Sequence, residues 1–230
     1  MRRTVSAVSL LQPRLTPPVA PVRERRFVTA HAGGASFFMS RSIPGLMDSF
    51  RSNALHARRE MSDDVRAAAS AVICKRVSDS REYYASRLIG CYLPMYDEVD
   101  TREIIESAWR ANKRIFVPIL RNKCEMHFCE ICPDTELERD SFGIWEPTRG
   151  VLVAPQRLDV VITPTVVFDK NSRRIGMGGG YYDRCFSFLR NRKHWIRPKL
   201  LGVAFQCQKV EEITPNPWDI RLYRVISEKK

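Results

Sequence analysis

A glycine-rich stretch at residues 173–184 holds the residue types in this chain that are best suited to chemistry. It has the sequence RRIGMGGGYYDR, with four glycines between an arginine pair and an aromatic, acidic segment. Glycine permits positive φ and close approach of the backbone to a ligand, and the amino end of a following helix directs free N–H groups at phosphate oxygens. We therefore interpret the stretch as the anion-binding loop of a phosphate-handling enzyme.

The spacing of this loop differs from that of two common glycine motifs. A P-loop requires Lys followed by Ser or Thr after its last glycine, where this chain has Tyr181 and Tyr182. A dinucleotide fingerprint requires glycine three residues after Gly178, and it follows the first strand of its domain rather than a late one. Neither motif fits, and the alternative without a ligand is a glycine hinge between strand and helix.

Charged side chains around the glycines favour a binding loop over a hinge. Arg173, Arg174 and Arg184 flank it, and Asp183 is a candidate magnesium ligand. The preceding residues 158–169 are an apolar run that predicts a buried strand ending in a turn. The loop is thus expected at the edge where an open α/β sheet binds its ligand.

Residues 168–184 resemble the signature of the 5-formyltetrahydrofolate cyclo-ligase family, whose members are also called 5,10-methenyltetrahydrofolate synthetases. Three further segments are similar to the family and occur in its order, YLPMYDEVDT at 92–101, FGIWEP at 142–147 and GVAFQCQ at 202–208. The resemblance covers residues 50–226. Four ordered matches are far more specific than a single glycine motif.

The resemblance implies an activity, its cofactors and its partner. The implied reaction is the ATP- and Mg²⁺-dependent conversion of 5-formyltetrahydrofolate to 5,10-methenyltetrahydrofolate, through phosphorylation of the formyl oxygen and attack by N10, with release of ADP and phosphate. The implied partner is a reduced folate, including polyglutamylated forms, with no nucleic acid and no membrane. We expect a monomer.

The resemblance also implies which residues form the site. The residues implied to bind ATP are Met47, Arg51, Arg174, Ile175, Gly176, Met177, Gly178, Gly179, Gly180, Tyr181 and Tyr182. The residues implied to contact the folate are Leu93, Glu98, Met177, Gly178, Gly179, Gly180 and Tyr181. The implied magnesium ligands are Asp183 and Asp219, and the implied catalytic residues are Arg174 and Tyr181.

Position 47 departs from the family pattern. The family has a lysine there, four residues before the arginine that aligns with Arg51, whereas this chain has Met47. Either Arg51 or Arg41 supplies the missing charge, or the alignment slips, or ATP affinity is reduced. Gly179, where some relatives have lysine, makes the loop less basic still.

Length and composition agree with a single enzyme domain over residues 47–230. The chain has 230 residues, of which 44% are hydrophobic, enough for a sizeable core. Its apolar runs are shorter than the ~18 residues of a bilayer-spanning helix. Seven cysteines without paired spacing favour a reducing compartment over a disulfide scaffold.

Residues 1–46 differ in composition and are interpreted as an N-terminal extension. Seven arginines against one glutamate account for +6 of the formal net charge of +12. The segment resembles a presequence and predicts mitochondrial localisation. The alternative is a cytoplasmic protein with an untranslated or disordered leader, with Met39 or Met47 as the true start.

The remaining chain also has a net positive charge, which suits an enzyme with polyanionic substrates. No RNA-recognition or zinc-finger spacing is present in the sequence. Two rival classes stay open. One is a sugar-phosphate isomerase on a related sheet, which would need neither ATP nor a pterin contact. The other is a non-catalytic module that keeps the fold but binds nucleic acid or a protein.

Alternating periodicities predict a layered α/β fold, with a mostly parallel, mixed sheet flanked by helices in a Rossmann-like arrangement. The sequence predicts a helix capped by Ser62, with Val65, Ala69, Val72 and Ile73 against the sheet, and a second helix capped by Asp100 with Glu103. The predicted strands cover residues 87–95, 114–120, 126–131 and 200–205. Residues 214–219 are a predicted loop.

Overall fold

A computed structural model describes residues 5–7, 44–95, 97–121, 125–140, 143–192 and 197–229. The predicted N-terminal extension therefore lies almost wholly outside the described residues, as do Met39 and Arg41. Tyr96 and Phe142, from the family-like segments, lie outside them too. Of the extension, residues 5–7 are described, and there the backbone N–H of Ala7 donates to the Thr135 carbonyl.

The described residues form twelve strands and five α-helices. They are β1 (Val5–Ser6), β2 (Leu88–Gly90), β3 (Arg114–Arg121), β4 (Glu125–Ile131), β5 (Glu136–Arg139), β6 (Trp145–Pro147), β7 (Leu152–Val153), β8 (Val160–Pro164), β9 (Val167–Phe168), β10 (Arg174–Ile175), β11 (Lys199–Val203) and β12 (Arg224–Ile226). The helices are α1 (Pro44–Arg59), α2 (Asp63–Ser78), α3 (Arg81–Tyr84), α4 (Arg102–Arg110) and α5 (Tyr181–Cys185).

The central sheet, within the described residues, has seven strands in the order β12-β11-β8-β2-β3-β4-β7. Strands β12, β11, β8, β2 and β3 run parallel, and β4 and β7 pair antiparallel at one side. This arrangement confirms the predicted mostly parallel, mixed sheet. Strands β1, β5 and β6 form a small antiparallel sheet, and β9 pairs with β10.

Successive residues of the central strands face opposite sides of the sheet, because side chains alternate along a strand. In β8, Val160 and Ile162 belong to a core cluster with α2 and α4, whereas Val161 belongs to a second cluster on the other face. The second cluster contains Phe186, directly after α5, which is fully buried. Helical segments therefore cover both faces, as predicted for a layered α/β fold.

The helix predicted after Ser62 is present as α2, and the Ser62 hydroxyl oxygen accepts from the backbone N–H of Val65. Its buried face is different from the predicted one, however. Ala69 and Ile73 are buried, but Val65 and Val72 are exposed. The buried stripe includes Arg66 instead, because its guanidinium donates to carbonyl oxygens at the end of α1 and just after it.

Two further local predictions were wrong. The strand predicted at 87–95 ends at Gly90, because the residues that follow bond among themselves, with the Tyr92 hydroxyl donating to the Val99 carbonyl. Asp100 does not cap α4 with Glu103. The N-cap position is Thr101, which makes no capping bond since its hydroxyl donates to the Tyr92 carbonyl at 2.7 Å.

The strands predicted at 114–120, 126–131 and 200–205 are present as β3, β4 and β11, within one or two residues at each end. Residues 214–219 contain no helix or strand, as predicted. Among the described residues, none of the helices combines the length and apolar character needed to cross a lipid bilayer.

Candidate functional site

A cavity of about 460 Å³ opens at the carboxyl ends of the parallel strands. Tyr92 and Leu93, which follow β2, form one part of its wall, and Thr165 and Val166, which follow β8, form another. In the sheet, β3 pairs with one side of β2, and β8 pairs with the other side. The cavity therefore lies at the topological switch point, where open α/β sheets bind ligands.

Every residue that the resemblance implicates in the site lines this one cavity. These residues are Met47, Arg51, Leu93, Glu98, Arg174, Ile175, Gly176, Met177, Gly178, Gly179, Gly180, Tyr181, Tyr182, Asp183 and Asp219. They come from α1, from the segments after β2 and β8, and from residues 214–219. Their individual roles toward ligands stay predictions.

The glycine loop takes backbone conformations that other residues adopt poorly. Gly178 and Gly180 have φ of 97° and 64°, in the range where a Cβ is strained. The ring of Tyr181 lies over Gly179, where an added Cβ would be 2.8 Å from Tyr181 Cε2. Small residues are thus required both by the turn and by the close approach of Tyr181.

Helix α1 brings Met47 and Arg51 to the loop from the opposite side. The two residues are four positions apart, so they lie on one helical face. Arg51 Nε donates to the Gly176 carbonyl at 2.9 Å, and its guanidinium also pairs with Asp48. The arginine therefore holds the start of the glycine loop. A positive charge is present one helical turn after the position where the family has lysine.

Arg174 is nearly buried and ties the loop to two other segments. One guanidinium nitrogen donates to the Ile220 carbonyl, and Nη2 lies 2.9 Å from Asp183 Oδ1. The backbone N–H of Ile220 donates to the same carboxylate oxygen at 3.0 Å. Arg174 thus positions Asp183 and the segment after Asp219, in addition to lining the cavity.

Of the three arginines that flank the glycines, only Arg174 lines the cavity. Arg173 donates to the Ile213 carbonyl and pairs with Glu212, and the Arg184 guanidinium lies over the Tyr181 ring. The helix expected after the loop is present as α5, but it has only five residues. A helix this short has only a small dipole. Side chains and the backbone amides of the loop therefore supply the positive potential at this site.

The two predicted magnesium ligands lie at the same end of the cavity. Asp219 Oδ2 accepts from the Asn216 backbone N–H at 2.7 Å. Burial raises the pKa of Asp219, and the negative charge of neighbouring Asp183 raises it further. The hydrogen bonds from Asn216 act in the opposite direction and lower it. Two carboxylates that repel one another in this way form an electronegative site. No cluster of three or more metal-binding side chains occurs among the described residues.

Glu98 lines the cavity on the side of β2. Burial raises the pKa of its carboxyl group, while the charge of Arg58 acts in the opposite direction. Glu98 Oε2 accepts from the Met95 backbone N–H at 3.1 Å. Behind it, Arg58 is buried and donates twice to Asp97 Oδ2, at 2.9 and 3.1 Å. The Glu98 carboxylate is therefore held in a closed turn next to a buried ion pair.

Several cavity residues were not singled out from the sequence. Among them is Glu146, whose Oε1 accepts from the Leu120 backbone N–H at 2.8 Å. Burial raises the pKa of its carboxyl group. Glu146 lies within the family-like segment 142–147, so that segment was the available signal. Trp218, between two predicted loop residues, was also missed.

Two other patterns near the site have structural positions. Cys129 is buried in β4, whereas Cys132, after the end of that strand, is exposed. Phe186 is fully buried, with Tyr182 and Leu189 packed against the same cluster. This aromatic series is part of the core, although Tyr182 also reaches the cavity.

Comparison with known protein families gives a match over most of the chain. A model of the 5-formyltetrahydrofolate cyclo-ligase family matches residues 47–228. The 5-formyltetrahydrofolate cyclo-ligase of Haemophilus influenzae is 36% identical over 149 residues, which are 63% of this chain and 78% of the relative. The Escherichia coli K12 cyclo-ligase is 38% identical over 146 residues, with 62% and 78% covered.

Solved structures with these names share the fold. The 5,10-methenyltetrahydrofolate synthetase of Aquifex aeolicus superposes with a TM-score of 0.70 at 27% identity, covering 80% of this chain and 91% of its own. The synthetase of Mycoplasma pneumoniae gives a TM-score of 0.64 at 22% identity, covering 80% and 99%. The second likeness concerns the fold alone.

Proposed function

The chain belongs to the 5-formyltetrahydrofolate cyclo-ligase family, and from this premise we propose that it converts 5-formyltetrahydrofolate to 5,10-methenyltetrahydrofolate with ATP and Mg²⁺. The observation that carries the proposal is that one cavity contains both the glycine loop and Glu98. A phosphate-binding loop and a carboxylate suited to a pterin edge then face the same space. A phosphoryl transfer between two ligands needs this juxtaposition.

The proposed chemistry activates a poor electrophile. Amide resonance makes the N5-formyl carbon weakly electrophilic, and transfer of the γ-phosphoryl group to the formyl oxygen turns that oxygen into a leaving group. N10 then attacks the carbon, N10 gives up its proton, and the C–O bond breaks to release phosphate and leave the methenyl cation. The protein aligns the ligands and stabilises charge, and it supplies no nucleophile.

The phosphates are proposed to lie along the loop at residues 174–182. Backbone N–H groups of the loop and the guanidinium of Arg51 supply positive charge there, and Arg174 adds a buried cation. The Tyr181 ring lies against Gly179 of the loop and lines the cavity, so we propose that it borders both ligands. Arg174 and Tyr181 are thereby the proposed catalytic residues.

Asp183 and Asp219 fit a magnesium ion that is shared with phosphates. Mg²⁺ at such sites is held by one or two carboxylates, waters and phosphate oxygens, without a full protein cage. The hydrogen bonds described above engage Oδ1 of Asp183 and Oδ2 of Asp219, so the fit uses the second oxygen of each carboxylate. When bound, the ion neutralises charge that develops on the transferred phosphoryl group.

The folate is proposed to bind between Leu93, Glu98 and residues 177–181. An ionised Glu98 would accept hydrogen bonds from the N–H edge of the pterin. The apolar part of the wall, with Leu93 and Met95, suits the flat ring system. The basic balance of the chain favours polyglutamylated folates, because anionic tails are attracted to it.

Purified protein mixed with 5-formyltetrahydrofolate, ATP and Mg²⁺ should produce the absorbance of methenyltetrahydrofolate, with one ADP released per product. Omission of ATP or chelation of the metal should abolish the signal. Product without nucleotide consumption would contradict the proposed phosphorylation. Salt-sensitive RNA binding without turnover would instead favour the non-catalytic module, and sugar-phosphate isomerisation would favour the rival enzyme class.

We also propose mitochondrial localisation, on the basis of the arginine-rich N-terminal extension. One relative, from Arabidopsis thaliana and 26% identical over 190 residues, carries the name of a mitochondrial cyclo-ligase. Import of the full chain into isolated mitochondria, followed by sequencing of the new N-terminus, tests the proposal. A protein that stays outside the organelle with an intact N-terminus would favour the cytoplasmic alternative.

A further inference from the structure

Trp218 is an exposed aromatic residue at the rim of the cavity. Its side chain is 59% exposed, although large apolar side chains are normally buried. It lines the same cavity as the glycine loop and Asp219. Within the described part of the chain, no aromatic ring or cation is stacked on it. An unstacked indole at the mouth of a binding cavity is suited to a flat ligand ring.

The turn that carries Trp218 is held rigidly. The Asp219 backbone N–H donates to the Asn216 carbonyl at 3.1 Å, and the Asn216 N–H returns to Asp219 Oδ2 at 2.7 Å. Pro217 fixes φ within the turn. After the turn, the Ile220 carbonyl accepts from the Arg174 side chain, and the Ile220 N–H donates to the Asp183 side chain. The indole is thus presented by a preorganised turn, which lowers the entropic cost of binding.

Which ligand ring Trp218 would contact follows from the orientation of a bound nucleotide in the cavity. This step rests on the proposed function, in which the terminal phosphate meets the folate within the cavity. The base is at the opposite end of the nucleotide and therefore points to the mouth. Trp218 directly precedes the proposed magnesium ligand Asp219, and its exposed ring lies at the mouth, so it belongs to the nucleotide side of the cavity. Glu98 and Met95, on the proposed folate side, belong to a different segment.

We propose that Trp218 is the stacking platform for the nucleobase of ATP. Stacking on an aromatic ring uses the π-face that every base presents, so it adds affinity without selecting strongly among bases. The glycine loop, Arg51 and the carboxylates hold the phosphates, and Trp218 holds the other end of the molecule. The backbone N–H groups of Asn216 and Asp219 are bonded within the turn, so we expect the base to be recognised by its face.

The test compares two probes that share a phosphate chain and differ in the base. Binding of a non-hydrolysable ATP analogue with Mg²⁺ and binding of inorganic tripolyphosphate with Mg²⁺ are measured by calorimetry. We expect Trp218→Ala to weaken the analogue about 5-fold to 100-fold, the range that base stacking supplies, and to leave tripolyphosphate unchanged. Trp218→Phe should restore most of the affinity for the analogue.

Controls separate this effect from general damage. Tyr84→Ala removes an even more exposed aromatic side chain that does not line the cavity, and it should change neither affinity. Stacking should also quench tryptophan fluorescence on addition of the analogue, and Trp218→Phe should remove that quench. Thermal unfolding of each variant shows whether the turn is intact.

Four results would overturn the proposal. Equal loss of both probes would mean that Trp218 supports the phosphate end, and loss of folate affinity alone would assign the ring to the other ligand. An unchanged analogue affinity in Trp218→Ala would exclude stacking and leave the proposed function untouched. If the wild-type protein binds no analogue at all, the proposed ATP dependence fails together with this inference.

Discussion

Arg174 Nη2 lies 2.9 Å from Asp183 Oδ1, and both partners are shielded from solvent, with side-chain exposures of 5% and 24%. The pair joins the strand before the glycine loop to the helix after it. Through Ile220, it also fixes the turn that contains Asp219. One buried cation therefore controls the relative positions of the loop and both proposed metal ligands.

Arg174→Gln should lower the free energy of unfolding and abolish turnover. Removal of one partner from a buried ion pair costs about 3–5 kcal/mol, and the exposure of Asp183 places this pair at about the lower end. Urea unfolding measures the stability. Arg110→Gln is the control, since that surface pair with Glu106 at 3.6 Å is worth less than about 1 kcal/mol. Equal effects of the two substitutions would refute the assigned role.

Two glycines of the loop provide a matched pair for a test of backbone strain. Gly180 has φ of 64° and an added Cβ would be 2.7 Å from Arg184 Nη1, whereas Gly176 has no atom within 4 Å of an added Cβ. Gly180→Ala should therefore lower the free energy of unfolding by about 1–2 kcal/mol, the cost of a left-handed non-glycine residue. Gly176→Ala should leave it unchanged, by the same unfolding measurement. A reversed order would show that the loop rearranges.

The parts of the fold that sequence alone predicted are those determined by local pattern. The apolar run at residues 115–120 specified β3, and Met126, Phe128 and Ile131 specified β4, because a buried strand needs apolar side chains whatever its partner is. The end of β2 could not be predicted, since the path after Gly90 is set by hydrogen bonds within residues 92–101, from Tyr92 to Val99 and from Thr101 to Tyr92. The exposure of Val65 and Val72 likewise depends on where α2 meets the sheet.

Site residues that belong to a sequence motif could be predicted, whereas those positioned only by tertiary packing could not. The glycine loop was evident, but adjacent Arg173 and Arg174 have different roles because successive strand residues point to opposite sides. Arg58 gave no signal, since an arginine on a helix is normally exposed. Its burial beside Asp97 exists only in the folded chain. Trp218 was concealed in a loop with no periodicity.

The ionised Glu98 carboxylate should lower the stability of the folded protein, although we propose that it binds the folate. Burial raises the pKa of Glu98 above its ordinary value of 4.5, so the folded state binds a proton more readily than the unfolded one. The ionised group therefore costs stability at neutral pH, and this cost disappears as pH falls through the raised pKa toward 4.5. Glu98→Gln should unfold at a higher temperature than the wild type at pH 8, with a smaller difference at pH 5.

The same substitution should weaken folate binding about tenfold or more, since hydrogen bonds to a charged acceptor are worth about 1.5–3 kcal/mol. Wild-type folate affinity should fall as Glu98 becomes protonated, and the variant should lose this pH dependence. Titration of the apo proteins with 5-formyltetrahydrofolate at several pH values measures both effects. Unchanged affinity in Glu98→Gln would assign the pterin edge to another group.

Arg58→Gln should shift the pH dependence of folate binding upward. The Arg58 charge lowers the pKa of Glu98, so its loss raises that pKa and the ionised form appears at higher pH. The variant should also lose about 3 kcal/mol of stability, because Asp97 loses its buried partner. Arg59→Gln is the neighbouring control. Arg59 is 66% exposed and lies 4.0 Å from Asp97, so neither property should change there.

Met47→Lys should tighten ATP binding. Met47 lines the cavity one helical turn before Arg51, so an ammonium group there would lie at the proposed phosphate loop. A partly exposed charge contact is worth about 0.5–1 kcal/mol, which corresponds to about a twofold to fivefold lower Kd. Calorimetry with the non-hydrolysable ATP analogue measures the change.

The matched control is Leu46→Lys, which adds the same charge at an exposed neighbouring position outside the cavity lining. It should change the affinity little in moderate salt, because an exposed charge without a direct phosphate contact is screened. Met47 also packs against the cluster of Ala54 and Val166, so Met47→Lys should cost some stability. Equal tightening by both lysines would show a general charge effect, and unchanged affinity in Met47→Lys would mean that Arg51 already supplies the charge.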